Sequence, residues 1–205
     1  MAETATYADD RLLVARCLAG ERAAERELFR RERTRVHATL YRCLGANREL
    51  EDLLQESFLE VFRSLPRWRA EAKLSTWIDR IAVRVAYRHL AAKRALGVAG
   101  VTSALDLVPE PVAREAAPDA RAHAREGVRR LYAALAQMTP AARLAFALHV
   151  IDGRPLAEVA RLVGSSLVAT KVRVWRAQRA LEALAREDAV LATYLSESGE
   201  GGGDE

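Results

Sequence analysis

Glycine and proline are scarce in this 205-residue chain, at 11 and 6 residues, and aromatic residues make up only 6%. Half of the residues are hydrophobic, enough to build a core. Collagen-like, mucin-like and wholly disordered classes are thereby excluded. Long apolar runs are missing too, and none approaches the roughly 20 residues of a membrane span. The opening stretch MAETATYADDR has neither a basic start nor a hydrophobic run, so it does not read as a secretory signal and no membrane insertion is expected. Only two cysteines occur, Cys17 and Cys43. They exclude a disulfide scaffold and a four-cysteine zinc site, and point to a reduced, cytoplasmic protein. Catalytic signatures are lacking as well. His37, His89, His123 and His149 are scattered, and there is no HExxH, nucleophile elbow, phosphate loop or dinucleotide fingerprint. The chain is therefore not expected to be an enzyme, nor to hold a cofactor or a metal.

What is present is charge, unevenly placed. The net charge is +4, from 32 Lys and Arg against 28 Asp and Glu. The stretch 187–205 holds acids but no Lys or Arg, so the rest of the chain carries about +10, which favours a polyanionic partner. Nearly all the cations are arginine. That matches a GC-rich coding sequence, and arginine is also the better reader of phosphates and bases.

Where the apolar residues keep a period it is helical, and alternating strand patterns are absent. The expected fold is all-α, with two helical domains joined by a flexible linker. Helices are expected at about 9–19, 21–44, 48–65 and 75–94, punctuated by Gly20, Gly45, Asn47 and Pro66. Residues 95–124 hold Pro109, Pro111 and Pro118 and no sustained period, and read as a linker. Helices resume at 125–137 and, behind Thr139-Pro140, at 140–151. Pro155 opens a short helix, Gly164-Ser165-Ser166 turns the chain, and a final helix spans 167–187. The domains are thus 1–94 and 125–187, with 188–205 as a disordered acidic tail.

The last two helices form a helix-turn-helix. Leu156, Val159, Ala160 and Val163 make the inner face of the first, and Leu167, Thr170, Val174, Ala177, Leu181 and Leu184 that of the second. Ser165, Ser166, Ala169, Val172, Arg173 and Arg176 point away from that face, flanked by Lys171, Trp175 and Arg179. Hydroxyls at a helix start bind phosphate and arginine reads guanine edges, so this face suits DNA.

Two other stretches stand out. In RELEDLLQESFLEVFRSL, residues Leu50, Leu53, Leu54, Phe58, Val61, Phe62 and Leu65 share one apolar face. Asp52, Gln55 and Glu56 fall outside it, as either a solvated face or a docking surface for a basic partner. From Trp68 to Arg94, aromatic rings (Trp68, Trp77, Tyr87) alternate with cations. Rings stack on unpaired bases and cations track a backbone, although Trp77 reads as core.

Taken together, these stretches resemble the extracytoplasmic-function group of the bacterial sigma-70 family. LEDLLQESFLEVFRSL looks like the core-polymerase-binding helix, and RWRAEAKLSTWIDRIAVRVAYRHLAAKR like the segment that melts and reads the −10 element. MTPAARLAFALHVIDGRPLAEVARLVGSSLVATKVRVWRAQRAL looks like the domain that reads the −35 element. The resemblance implies polymerase contacts at Asp52, Gln55, Glu56 and Leu59. It implies −10 contacts at Trp68, Arg69, Lys73, Leu74, Thr76, Trp77, Arg80 and Arg84. For the −35 element it implies Ser165, Ser166, Lys171, Val172, Arg173, Trp175 and Arg176. The family often has Asn where this chain has Arg84, and Gly-Thr-Val where it has Val168-Ala169-Thr170. The function implied is a sigma factor that directs core RNA polymerase to promoter DNA near the nucleoid, under the control of an anti-sigma factor. The alternatives are a stand-alone helix-turn-helix regulator and an interaction protein that keeps the shape without promoter activity.

Overall fold

The computed structural model describes residues 2–97 and 118–199. The regular elements among them are all helical: α1 (Ala2–Leu18), α2 (Arg22–Leu44), α3 (Leu50–Ser64), α4 (Leu74–Ala95), α5 (Pro118–Ala136), α6 (Pro140–Phe146), α7 (Leu156–Val163), α8 (Leu167–Ala185) and α9 (Ala189–Gly199). A 3₁₀ turn, Leu65–Arg67, follows α3, and a π-helical turn, Ala147–Ile151, extends α6.

Local chemistry sets these boundaries. Gly45 at φ 75° ends α2, and its N–H donates to the Tyr41 carbonyl at 2.7 Å. Pro66 closes α3. Thr139 caps α6 by accepting the Ala142 N–H, and Pro140 occupies the first helical position, where no N–H is needed. Gly164 leaves α7 in the left-handed conformation, and Ser166 caps α8 by accepting the Ala169 N–H.

Helices α2 to α4 bury Leu28, Val36, Leu40, Leu54, Phe58, Val61, Leu74, Ile78, Ile81 and Val85 in one core. These recur at three- and four-residue steps, as an amphipathic helix requires. Leu144, Ala145, Leu148, Val159, Leu162 and Val174, from α6, the π turn, α7 and α8, belong to that same core. A second cluster joins Leu131, Tyr132, Leu135, Phe146, Ala177, Leu181 and Leu191. The two helical units are therefore packed against each other, not merely tethered.

Five expectations change, the first being that α1 starts at Ala2 and not near residue 9. The helix expected from 125 starts at Pro118, inside the expected linker, whose residues 98–117 lie outside the described residues. The 188–205 tail is helical over Ala189–Gly199: Asp188 accepts the N–H groups of Val190 and Leu191, and Leu191 is buried. Residues 200–205 lie outside the description. Leu167, assigned to the inner face, is exposed: the buried stripe of α8 begins one turn later, at Thr170. The helix expected over 140–151 loosens into a π turn, where Asp152 N–H reaches back to the Ala147 carbonyl at 2.9 Å.

Candidate nucleic-acid and partner interfaces

Helix α8 rests on Thr170, Val174, Ala177 and Leu181, all buried. Thr170 solves its polar problem locally by donating to the Ser166 carbonyl at 2.9 Å. On the outside stand Ser166, Lys171, Val172, Trp175 and Arg176. Two residues grouped with them behave differently. Arg173 is half-buried and donates to Ser165 Oγ at 2.8 Å, which draws it toward the turn. The Arg179 guanidinium lies over the Trp175 ring, 5.8 Å from its centroid, and pairs with Glu182 at 2.8 Å.

The loop before α4 is shaped by Trp68, which packs against the core and donates from Nε1 to the Ala72 carbonyl. Ala70 takes a positive φ of 56°, which tightens the bend. Arg69 is exposed, while Lys73, Thr76, Trp77 and Arg80 are half-buried. Leu74 corrects the expectation: it is fully buried, and its N–H donates to Asp10 Oδ2. It anchors the loop and has no surface to offer DNA. Arg84 is exposed, 3.6 Å from Glu60. Trp77 packs against the core, as its apolar setting suggested.

On α3, Asp52, Gln55, Glu56 and Leu59 form one exposed stripe at steps of three and four residues. Leu59 is 64% exposed, a large apolar side chain in a polar frame. Glu56 and Glu60 share Arg88 of α4 at 2.9 and 2.6 Å, and that bond to Arg88 holds the Glu60 carboxyl below its ordinary range.

A third set of side chains, at the junction of the two units, went unseen in the sequence. Asp79 of α4 is buried and pairs with Arg35 at 2.6 Å and Arg154 at 2.9 Å. Burial pushes its carboxyl up, and the two guanidiniums oppose that. Arg154 also donates to Thr39 of α2 and to Asp152, which pairs with Arg42. Burial works against the Arg154 charge, yet its bonds to Asp152 and Asp79 outweigh it and raise its pKa. Arg143 of α6 sends Nε to the Cys43 carbonyl at 3.0 Å and Nη2 to the Leu44 carbonyl at 2.6 Å. Tyr132 Oη donates to the Arg42 carbonyl. Two side chains of the second unit thus cap the last carbonyls of α2. Burial raises the adjacent Cys43 thiol to about 12, leaving it unreactive. Beside this junction lies a cavity of about 230 Å³, walled by Val83, Tyr87, Leu144 and Leu162 and rimmed by Arg80, Arg84, Arg161 and Arg173.

Among the described residues no helix is long and apolar enough to cross a membrane, and no cluster of His, Cys, Asp and Glu is arranged to hold a metal ion.

Comparison with known proteins places this geometry in a family. The model of Sigma-70 region 2 matches residues 28–95, and that of Sigma-70, region 4 matches residues 128–185, together more than half of the chain. The chain is 37% identical over 93 residues to the ECF RNA polymerase sigma-E factor of Haemophilus influenzae, covering 45% of this chain and 47% of that one. It is 28% identical over 155 residues to the ECF RNA polymerase sigma factor SigE of Mycolicibacterium smegmatis, covering 76% and 59%. Against these two relatives it spans about half of their length. It is also 24% identical to the RNA polymerase sigma-H factor of Pseudomonas aeruginosa, covering 86% of this chain and 94% of the relative. Among solved structures, CnrH in complex with the cytosolic domain of CnrY shares the fold, with a TM-score of 0.57, 21% identity and coverage of 87% and 98%. The sigma factor RpoE in complex with the anti-sigma factor NepR from Bartonella quintana gives a TM-score of 0.52, 18% identity and coverage of 80% and 97%. With regions 2 and 4 matched in order on the two helical units, the chain belongs to the extracytoplasmic-function group of the sigma-70 family.

Proposed function

We propose that this chain is a promoter-specificity subunit of bacterial RNA polymerase. The observation that carries the reading is the pairing of the two matched regions with separate solvent-facing surfaces of suitable chemistry. The α3 stripe of Asp52, Gln55, Glu56 and Leu59 docks on a basic, partly apolar surface of core polymerase. The loop from Trp68 and the cations Arg69, Lys73, Arg80 and Arg84 of the α4 region engage the −10 element. Thr76 and Trp77 support them, and Leu74 holds the loop from beneath. Helix α8 enters the major groove of the −35 element with Lys171, Val172, Trp175 and Arg176, while Ser165 and Ser166 meet the phosphate backbone.

In this reading the chain supplies recognition and the polymerase supplies the chemistry, so the chain itself catalyses nothing. Its place is the cytoplasm, on the nucleoid. An anti-sigma factor is a further partner, as the RpoE relative was solved with NepR.

Run-off transcription with purified core polymerase on a genomic fragment library tests the proposal. Initiation at a defined set of start sites, sharing two boxes and requiring this chain, is the expected result. DNA binding without any polymerase association would instead make it a stand-alone regulator and overturn the reading.

A further inference from the structure

The outer side of helix α8 is oddly apolar where it begins. Leu167 is 51% exposed, Val168 74%, Val172 40% and Trp175 56%. Of the ten large hydrophobic side chains exposed among the described residues, four lie within these nine positions. Val168, Val172 and Trp175 follow at steps of four and three, on the side opposite the buried Thr170, Val174, Ala177 and Leu181. None of the three lines the junction cavity.

The surroundings say what covers this strip. Lys171, Arg176 and Arg179 are exposed around it, and the strip starts at a serine-capped helix N-terminus. That frame suits a polyanion better than a second, equally basic copy of the chain. Arg173, one of the two arginines on this side of the helix, is tied back to Ser165, which leaves Arg176 as the arginine free of that turn. Trp175 is held by the Arg179 guanidinium across its ring. In the major groove only one group calls for an apolar partner: the C5 methyl of thymine.

We propose that Val168 and Val172 read thymine methyl groups in the −35 element, with Trp175 as the wall of the methyl site and Arg176 as the polar reader beside them. The inference rests on the promoter-binding reading above and names the chemical feature that this face selects. It makes Val168 a specificity residue and Arg173 a positioning residue for the turn.

The test uses the full chain bound to core polymerase. A promoter library first yields the −35 box, and each thymine in it is then replaced singly by deoxyuridine, which keeps the base pair and removes only the methyl. Replacement at one or two positions should weaken binding about fourfold each, the change expected for one methyl group returned to water. Val172→Ala should bind the thymine box about fourfold more weakly and lose its response to uracil at one of those positions. Val168→Ala should do the same at the neighbouring one. Sequence-specific binding that ignores uracil throughout the box overturns this inference and leaves the promoter reading standing. Failure to bind any promoter overturns both. Dimerisation of the free chain that Val168→Asp abolishes assigns the strip to a second copy, and also overturns it.

Discussion

Arg143 carries a full charge in a place that is only 5% exposed, and it should be the most costly single polar side chain to remove. Its surroundings explain why it is tolerated. Helix α2 ends with carbonyls that have no partner of their own, and the guanidinium supplies Nε and Nη2 to two of them, at Cys43 and Leu44. The negative end of the α2 dipole favours a cation there, and the Tyr132 ring lies 5.9 Å from the guanidinium carbon. Arg143→Met keeps the stem and removes the head. Each carbonyl left buried and unpaired costs about 1–3 kcal/mol, so the variant should lose about 2–6 kcal/mol. For a chain of this length each kcal/mol is worth roughly 2–4 °C, which places the drop in melting temperature between roughly 4 and 24 °C. Arg143→Lys keeps the charge but not the fork, and should fall between the two. The assay is thermal unfolding of the full chain, followed by circular dichroism and by calorimetry. Because Arg143 bridges the two units, the methionine variant should also broaden or split the single heat-absorption peak. A methionine variant within about 0.5 kcal/mol of the parent chain would show that water caps these carbonyls equally well, and would refute the reasoning.

Charge reversal of the α3 stripe, with Asp52→Arg and Glu56→Arg together, should weaken core polymerase binding by roughly tenfold or more through like-charge contact, with helix content unchanged; unaltered affinity in a pull-down titration would count against α3 as the docking face. Gly127→Ala should cost about 1–2 kcal/mol in urea unfolding, although alanine is the better helix former, because its Cβ would lie 2.5 Å from the Tyr194 ring. Adding Tyr194→Ala should cancel that cost, and additive losses in the double mutant would disprove the clash. Burial lowers the pKa of His89 from its ordinary 6.5, so the folded chain binds fewer protons there than the unfolded chain. Its share of stability is therefore complete above pH 6.5 and is lost as the pH falls below it. His89→Gln should flatten that part of the stability profile, and an unchanged slope would assign the acid sensitivity to other groups.

Much of this architecture was legible because period and punctuation agree. The apolar steps from Leu50 to Leu65, the stop at Gly45 and the Thr139-Pro140 start each carry their own geometry within a few residues. The turn at Gly164 to Ser166 does the same, and it fixed the start of α8. What stayed hidden needs information from far along the chain. Asp79 and Arg154 are 75 residues apart, and Arg143 and Cys43 are 100 apart. A pairing at that distance leaves no periodic trace, and a buried arginine looks in sequence like any surface arginine. Leu74 was grouped by resemblance with residues of a DNA-facing loop, and the burial of a leucine beside Asp10 decided otherwise. Helix α9 was masked by its glycine- and serine-rich surroundings, although Asp188 as a cap with Leu191, Tyr194 and Leu195 behind it is a helical signal on a small scale.

The packed junction has a consequence for affinity as well as for stability. Arg84, on the face assigned to the −10 element, and Arg173, in the helix assigned to the −35 element, line one cavity of about 230 Å³. The two elements lie roughly 25 base pairs apart, on the order of 85 Å of duplex. On the function proposed, one molecule cannot hold both elements while the units stay closed. The competent form is then a minority, and its apparent promoter affinity is scaled down by that fraction. Every 1.4 kcal/mol of junction energy corresponds to about a tenfold reduction. Stability and promoter affinity are thereby set in opposition at Asp79, Arg143 and Arg154: a substitution that loosens the fold there raises the population able to reach across a promoter.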